Sequence, residues 1–196
     1  SRSGVLVTNK SQEETFPQTQ APKRPESLDC DIHYTTIKGE RWIVLIGLLD
    51  NKPYEVFGGK ASLVEIPRKY TKGELVKRAF KTQISKYDFK FGDLDDPIVI
   101  KDVVKAFNNP NNLAFARMIS LSLRHGAKTK FMVEQLQKDK DSDMFSFSKS
   151  ISRILKSYIE NGEIPSDKHC EECRDDALVY QDGCVICNSC GYSKCS

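Results

Sequence analysis

Six of the chain's seven cysteines fall between Cys170 and Cys195, and only Cys30 lies elsewhere. They are spaced as Cys170-x-x-Cys173, then Cys184, then Cys187-x-x-Cys190-Gly191, and finally Cys195. Two CxxC knuckles separated by a short hairpin, here through Leu178-Val179-Tyr180 and Gly183, can place four thiolates tetrahedrally around zinc at about 2.3 Å. A fragment of roughly thirty residues cannot build an adequate apolar core. Metal coordination is therefore expected to supply most of its folding free energy, on the order of ten kcal/mol. Cysteines that staple a secreted fold are spread over its body, whereas clustering at one end points to metal, redox chemistry or both.

Zinc takes four ligands, and six thiols are offered. One assignment uses Cys170, Cys173, Cys187 and Cys190 and leaves Cys184 and Cys195 over. It is favoured because Gly191, directly after the second cysteine of its pair, suits a zinc knuckle. The other assignment pairs Cys184 with Cys187 and frees Cys190 and Cys195. In both, Cys195 lies one residue from the end of the chain, on what is expected to be a mobile tail. A thiol beside Lys194 is more thiolate-like and quicker in exchange than an ordinary one. The bland counterpart is an idle terminal thiol.

Other constellations are weaker. His33 reads as a partly exposed strand residue, and His125 as a cation favoured at a helix C-terminus. His169, next to Cys170, is a poor competitor for metal beside so many thiolates. Cys30 reads as a small buried residue at the entry to a sheet. There is no Ser/His/Asp set, Walker loop or GxGxxG; Gly58-Gly59-Lys60 is too short for a phosphate loop. A nucleic-acid role is disfavoured, because Glu171, Glu172, Asp175, Asp176 and Asp182 surround the knuckles, against Lys168, Arg174 and Lys194. The net charge of +3 is small, and the densest basic stretch, from Arg68 to Arg78, is interrupted by Glu74. No apolar run approaches membrane-spanning length and no signal peptide is evident, so a cytoplasmic location is the default.

The elements that must carry these residues follow an α+β order: an antiparallel sheet, then about three helices, then a small C-terminal zinc ribbon. Ile32 to Ile37, Arg41 to Leu49 and Tyr54 to Phe57 form a three-stranded meander with a turn at Lys38-Gly39 and a loop from Asp50 to Pro53. Weaker strands are expected at Ser62 to Ile66, around Phe80 to Phe89, and at Pro97 to Ile100. Helices are expected from Leu113 to Arg124, capped by Asn112 and stopped by Gly126; after a Thr129 cap, a short one with Phe131, Val133, Leu136 and basic Lys138 near its end; and from about Phe147 to Ile159. Residues 1–27 read as a structured end at Gly4-Val5-Leu6-Val7 followed by a Pro-rich linker, Gln12 to Pro25. Residues 28–164 form the α+β domain and 165–196 the cysteine module.

The tail from Gly183-Cys184-Val185-Ile186-Cys187 through Cys190-Gly191-Tyr192-Ser193-Lys194-Cys195 resembles the C-terminal cysteine module of adenosylcobalamin-dependent (class II) ribonucleotide reductases. Three further stretches resemble the same family in the same order. Ser1-Arg2-Ser3-Gly4-Val5-Leu6 looks like the segment after the last barrel strand, Lys52 to Phe57 like the post-barrel sheet, and Ile119 to Gly126 like the following helix. The resemblance implies a part of a larger oxidoreductase that replaces the ribose 2′-hydroxyl by hydrogen and leaves an active-site disulfide after each turnover. It implies a tail that carries reducing equivalents from a thioredoxin- or glutaredoxin-like partner to that disulfide. The catalytic barrel and the adenosylcobalamin pocket have no counterpart in this sequence, so this segment alone is not expected to reduce a nucleotide. The alternatives are a nucleic-acid-binding ribbon and a purely structural docking module.

Overall fold

The computed structural model describes residues 19–79, 84–138, 146–167 and 169–195. The Ser1 to Leu6 match, Arg2, the Gly4 to Val7 end, the linker as far as residue 18, the first residues of the expected Phe80 to Phe89 strand, and Lys168 lie outside the described residues. The body is a six-stranded antiparallel sheet of β1 (Ser27–Ile37), β2 (Glu40–Leu49), β3 (Lys52–Lys60), β4 (Lys72–Arg78), β5 (Lys86–Gly92) and β6 (Pro97–Ile100). Its strand order is β3-β2-β1-β4-β5-β6. Four helices follow: α1 (Val103–Phe107), α2 (Pro110–Arg124), α3 (Thr129–Lys138) and α4 (Phe147–Lys156). A three-stranded sheet, β7 (Leu178–Gln181), β8 (Cys184–Cys187) and β9 (Ser193–Lys194), closes the chain. The expected α+β order holds.

Both hairpins of the meander turn on two residues with positive φ, Lys38-Gly39 at 50° and 79° and Asp50-Asn51 at 52° and 61°. Turns of that hand match the twist of the strands they join. Strand β2 is buried on both faces, with Ile43, Val44, Leu45 and Ile46 all at 0% exposure. Val44 and Ile46 face a core with Trp42, Val56, Ile119, Val133, Phe147, Ile151 and Leu155. Ile43 and Leu45 face a second core with Cys30, Ile32, Leu75, Phe89, Phe91, Val103 and Phe107. Helix α1 packs on both β3 and β5, which are four places apart in the sheet. At about 4.8 Å per strand a flat sheet would hold them roughly 19 Å apart, so the sheet curls around the second core.

Several expectations need correction. Ser62 to Ile66 is not a strand: Ala61–Leu63 is a 3-10 turn, and Glu65 takes a φ of 47°. Strand β4 lies inside the basic stretch that concealed it, because only Leu75 of Lys72–Arg78 is fully buried. Its Gly73 allows close approach, since a Cβ there would sit 2.5 Å from the Phe89 ring. Helix α2 starts earlier than Asn112, with Asn109 at the cap and Pro110 in its first turn. Helix α4 is capped by Ser146, whose hydroxyl accepts from the Lys149 amide, and it ends at Lys156. In α3 the buried residues are Met132 and Val133, while Phe131 is 48% exposed.

Residues 19–26 of the expected linker lie against the body. Tyr54 donates to the Pro22 carbonyl, Thr19 hydrogen-bonds His125, and Arg24 reaches Glu55. Glu55 is wholly buried, 2.6 Å from Arg24 and 2.9 Å from Arg124. This triad joins the segment before β1 to β3 and to the end of α2. Glu55→Ala leaves two guanidinium groups facing an empty pocket, and is expected to destabilise the domain by about 3–5 kcal/mol in urea unfolding.

Candidate metal centre

The two knuckles have the same backbone construction. The Arg174 amide donates to the Cys170 carbonyl at 2.9 Å, and the Gly191 amide to the Cys187 carbonyl at 2.9 Å. The Cys170 amide donates to the Asp175 carbonyl, and the Cys187 amide to the Tyr192 carbonyl. Each CxxC is followed by a residue of positive φ, Arg174 at 64° and Gly191 at 78°. Glycine in the second knuckle was the sequence signal; the first achieves the same turn with arginine. The hairpin between them turns on Asp182-Gly183, at 49° and 75°, and sets Cys184–Cys187 against Leu178–Gln181.

The Sγ atoms of Cys170, Cys173, Cys187 and Cys190 all lie within 4.8 Å of one another. The Cys170–Cys190 sulfur separation is 3.7 Å and Cys173–Cys187 is 3.6 Å. Four sulfurs at about 2.3 Å from a central zinc stand about 3.8 Å apart along the tetrahedron's edges. The donor set therefore fits a zinc-type ion. Backbone amides are aimed at the sulfurs: those of Cys190 and Ser189 pull the Cys187 thiol down to about 7. An amide hydrogen bond from Asp175 favours the Cys173 thiolate, but burial and the neighbouring thiols push that group up to about 12. Held without a cation, four close thiols resist sharing so much negative charge.

Cys184 and Cys195 stand outside this cluster and are joined to each other as a disulfide. Their bridge continues the β8–β9 ladder, one place beyond Val185 opposite Lys194. The structure thus brings together the first of the two ligand groupings, and Cys190 lies in the sulfur cluster rather than with Cys195. His169 turns to Asp176 and takes no part. His125 caps the end of α2, and its Nδ1 donates to the Thr19 carbonyl. His33 meets the Tyr158 hydroxyl at 2.7 Å, and burial lowers its pKa. Cys30 is buried, and burial raises its thiol far above the usual range, so it is an inert core residue.

Two features escaped the sequence reading. Glu171, counted there only as an acid, accepts from Tyr192 at 3.0 Å and from Lys194 at 2.9 Å, and so clamps the tail to the first knuckle. Tyr180 is 2% exposed and belongs to the core of the body, with Ile159 beside it. Its amide donates to the Glu163 carbonyl, and its carbonyl accepts from Gly162. The division at residue 165 is therefore not a break in packing. The ribbon's own core is only Cys170, Leu178 and Cys187, with a few half-buried neighbours.

Residues 28–160 match the family model of the NrdJ homologue C-terminal domain. The chain belongs to this family. NrdJ is a class II ribonucleotide reductase, so membership ties the domain to ribonucleotide reduction and to the oxidoreductases. The match ends before the first knuckle, and the cysteine cluster beyond it fits a zinc-ribbon tail. No curated protein matches the chain, and no solved structure does. Among the described residues no helix is long and apolar enough to cross a membrane.

Two outcomes are expected of the metal centre. Cys173→Ser should abolish stoichiometric zinc binding and disorder the ribbon while the body keeps its sheet, as read by metal analysis and circular dichroism. Acidification should weaken zinc binding, because thiols whose pKa is raised bind protons that the metal must displace. A chelator titration between about pH 8 and pH 6 should show affinity falling as the pH drops.

Proposed function

We propose that this chain is the C-terminal part of a B12-dependent ribonucleotide reductase. In this reading the Cys184–Cys195 pair relays reducing equivalents from a thioredoxin- or glutaredoxin-like dithiol to the active-site disulfide. The observation that carries it is the separation of six cysteines into four clustered thiols and one bonded pair at the chain's end. Zinc, held by Cys170, Cys173, Cys187 and Cys190, makes a rigid platform. In this reading adenosylcobalamin belongs to the catalytic barrel of the parent enzyme.

The exchange balances in two steps. A partner thiolate attacks Cys195 Sγ, which is exposed, and displaces Cys184 as a thiolate. The partner's second thiol then resolves the mixed disulfide. The partner leaves oxidised, and Cys184 and Cys195 hold two electrons and two protons. Cys195 next attacks the active-site disulfide, and Cys184 resolves that adduct, reforming the pair and leaving the active-site cysteines reduced. Strand β9 is two residues long, so little pairing opposes release of the tail.

A structural docking module is the second reading, favoured by the burial of Tyr180 in the body core. The two separate in the intact enzyme. Cys195→Ser should spare the first turnover and reduce thioredoxin-supported steady-state turnover to background. Unchanged steady-state turnover would leave docking as the function of the ribbon.

A further inference from the structure

The disulfide and the metal centre share one strand. Strand β8 begins at Cys184, of the pair, and ends at Cys187, of the sulfur cluster. The bridged cysteines are 11 residues apart, and Cys187 and Cys190 both lie inside the loop they close. The same loop is fastened a second time to the first knuckle, through Tyr192 and Lys194 on Glu171. Half of the donor set is therefore carried by a segment whose freedom depends on whether the pair is bonded.

We propose that zinc binding and the oxidation state of Cys184/Cys195 are energetically coupled, so that the disulfide tightens the metal site and reduction loosens it. The inference rests on the redox-pair reading and adds a regulation to it. With the bridge closed, residues 184–195 form a ring with few conformations other than the one that presents Cys187 and Cys190 to Cys170 and Cys173. Assembling the four thiolates then costs less ordering entropy. With the bridge open, Gly191–Cys195 is held only by the exposed Glu171 contacts of Tyr192 and Lys194, and the second knuckle is ordered by these and the Cys187–Cys190 turn. Coupling of this kind is reciprocal: a metal that holds Cys187 and Cys190 in place also holds Cys195 opposite Cys184, and favours the bond. The reduced, outgoing tail would thus be attached to a more pliant knuckle than the oxidised, returning one.

The test uses the whole zinc-loaded chain in two states, air-oxidised and treated anaerobically with a water-soluble phosphine. The phosphine and one water convert the disulfide to two thiols and leave a phosphine oxide, adding no thiol that competes for zinc. Zinc transfer to a chromogenic chelator should show an apparent affinity at least about tenfold weaker in the reduced chain. The Cys184→Ser/Cys195→Ser double variant should behave like the reduced chain even in air. In the converse arm, a glutathione redox buffer should show the zinc-loaded pair at least about tenfold more oxidised at equilibrium than the metal-free pair, or about 30 mV more negative. Equal or tighter zinc retention after reduction overturns the coupling, as does a double variant that holds zinc like the oxidised chain. If the pair reduces normally and only retention is unchanged, the relay reading survives. If the pair resists both phosphine and dithiols, relay and coupling fall together.

Discussion

Strand β2 is buried on both faces, and most of the body follows from that demand. Four consecutive apolar residues, Ile43 to Ile46, point alternately up and down, and each pair needs its own cover. The helices that end the domain supply one cover, through Ile119, Val133, Ile151 and Leu155. Nothing comparable follows for the other face, so the sheet provides it by curling, with Leu75, Phe89 and Phe91 closing over Ile43 and Leu45 and α1 plugging the gap. Burial of this kind also explains why an ion triad sits where it does. Glu55, on the strand next to β2, lies inside the packing, and its charge is tolerated only because two guanidinium groups meet it.

The ribbon answers the opposite problem, having too little to bury. The buried residues of its own core are two cysteines and Leu178. It is therefore stabilised from two directions that are not its own core. Four sulfurs have the spacing of a zinc tetrahedron, where an ion would join the knuckles, and Tyr180 carries the hairpin into the core of the neighbouring domain. Burial and the nearby Glu134 push the Tyr180 phenol up to about 12, so it enters that core neutral.

The legible parts of the sequence were those with short-range signals. Lys38-Gly39 marked a hairpin, Arg41 to Leu49 a strand of the meander, Leu113 to Arg124 a helix, and the CxxC spacing a cluster of four thiols. Residues whose role depends on distant partners were not legible. Lys72–Arg78 reads as a charged surface because a strand that curls over a core buries only Leu75 fully. The segment before β1 reads as a linker because its hold on the body is polar and lies in Arg24 and two carbonyls rather than in apolar side chains. Of the two cysteine groupings, Gly191 after its second pair favoured the one that the structure brings together. The bonding of the remaining two depends on the ladder of β8 and β9, which sets Cys195 opposite Cys184.

The anchoring of the hairpin at Tyr180 has a consequence for distance. Because the ribbon is fixed to the body through Gly162, Glu163 and the core, the arm of the proposed relay begins after Cys190 and is released only when its disulfide opens and Glu171 lets go of Tyr192 and Lys194. Gly191 to Cys195 is five residues, which fully extended span about 17 Å at most. Once released, the thiol at the end of that arm reaches about that distance from Cys190. In the relay proposed above, the disulfide served by that arm would have to open within this reach of Cys190.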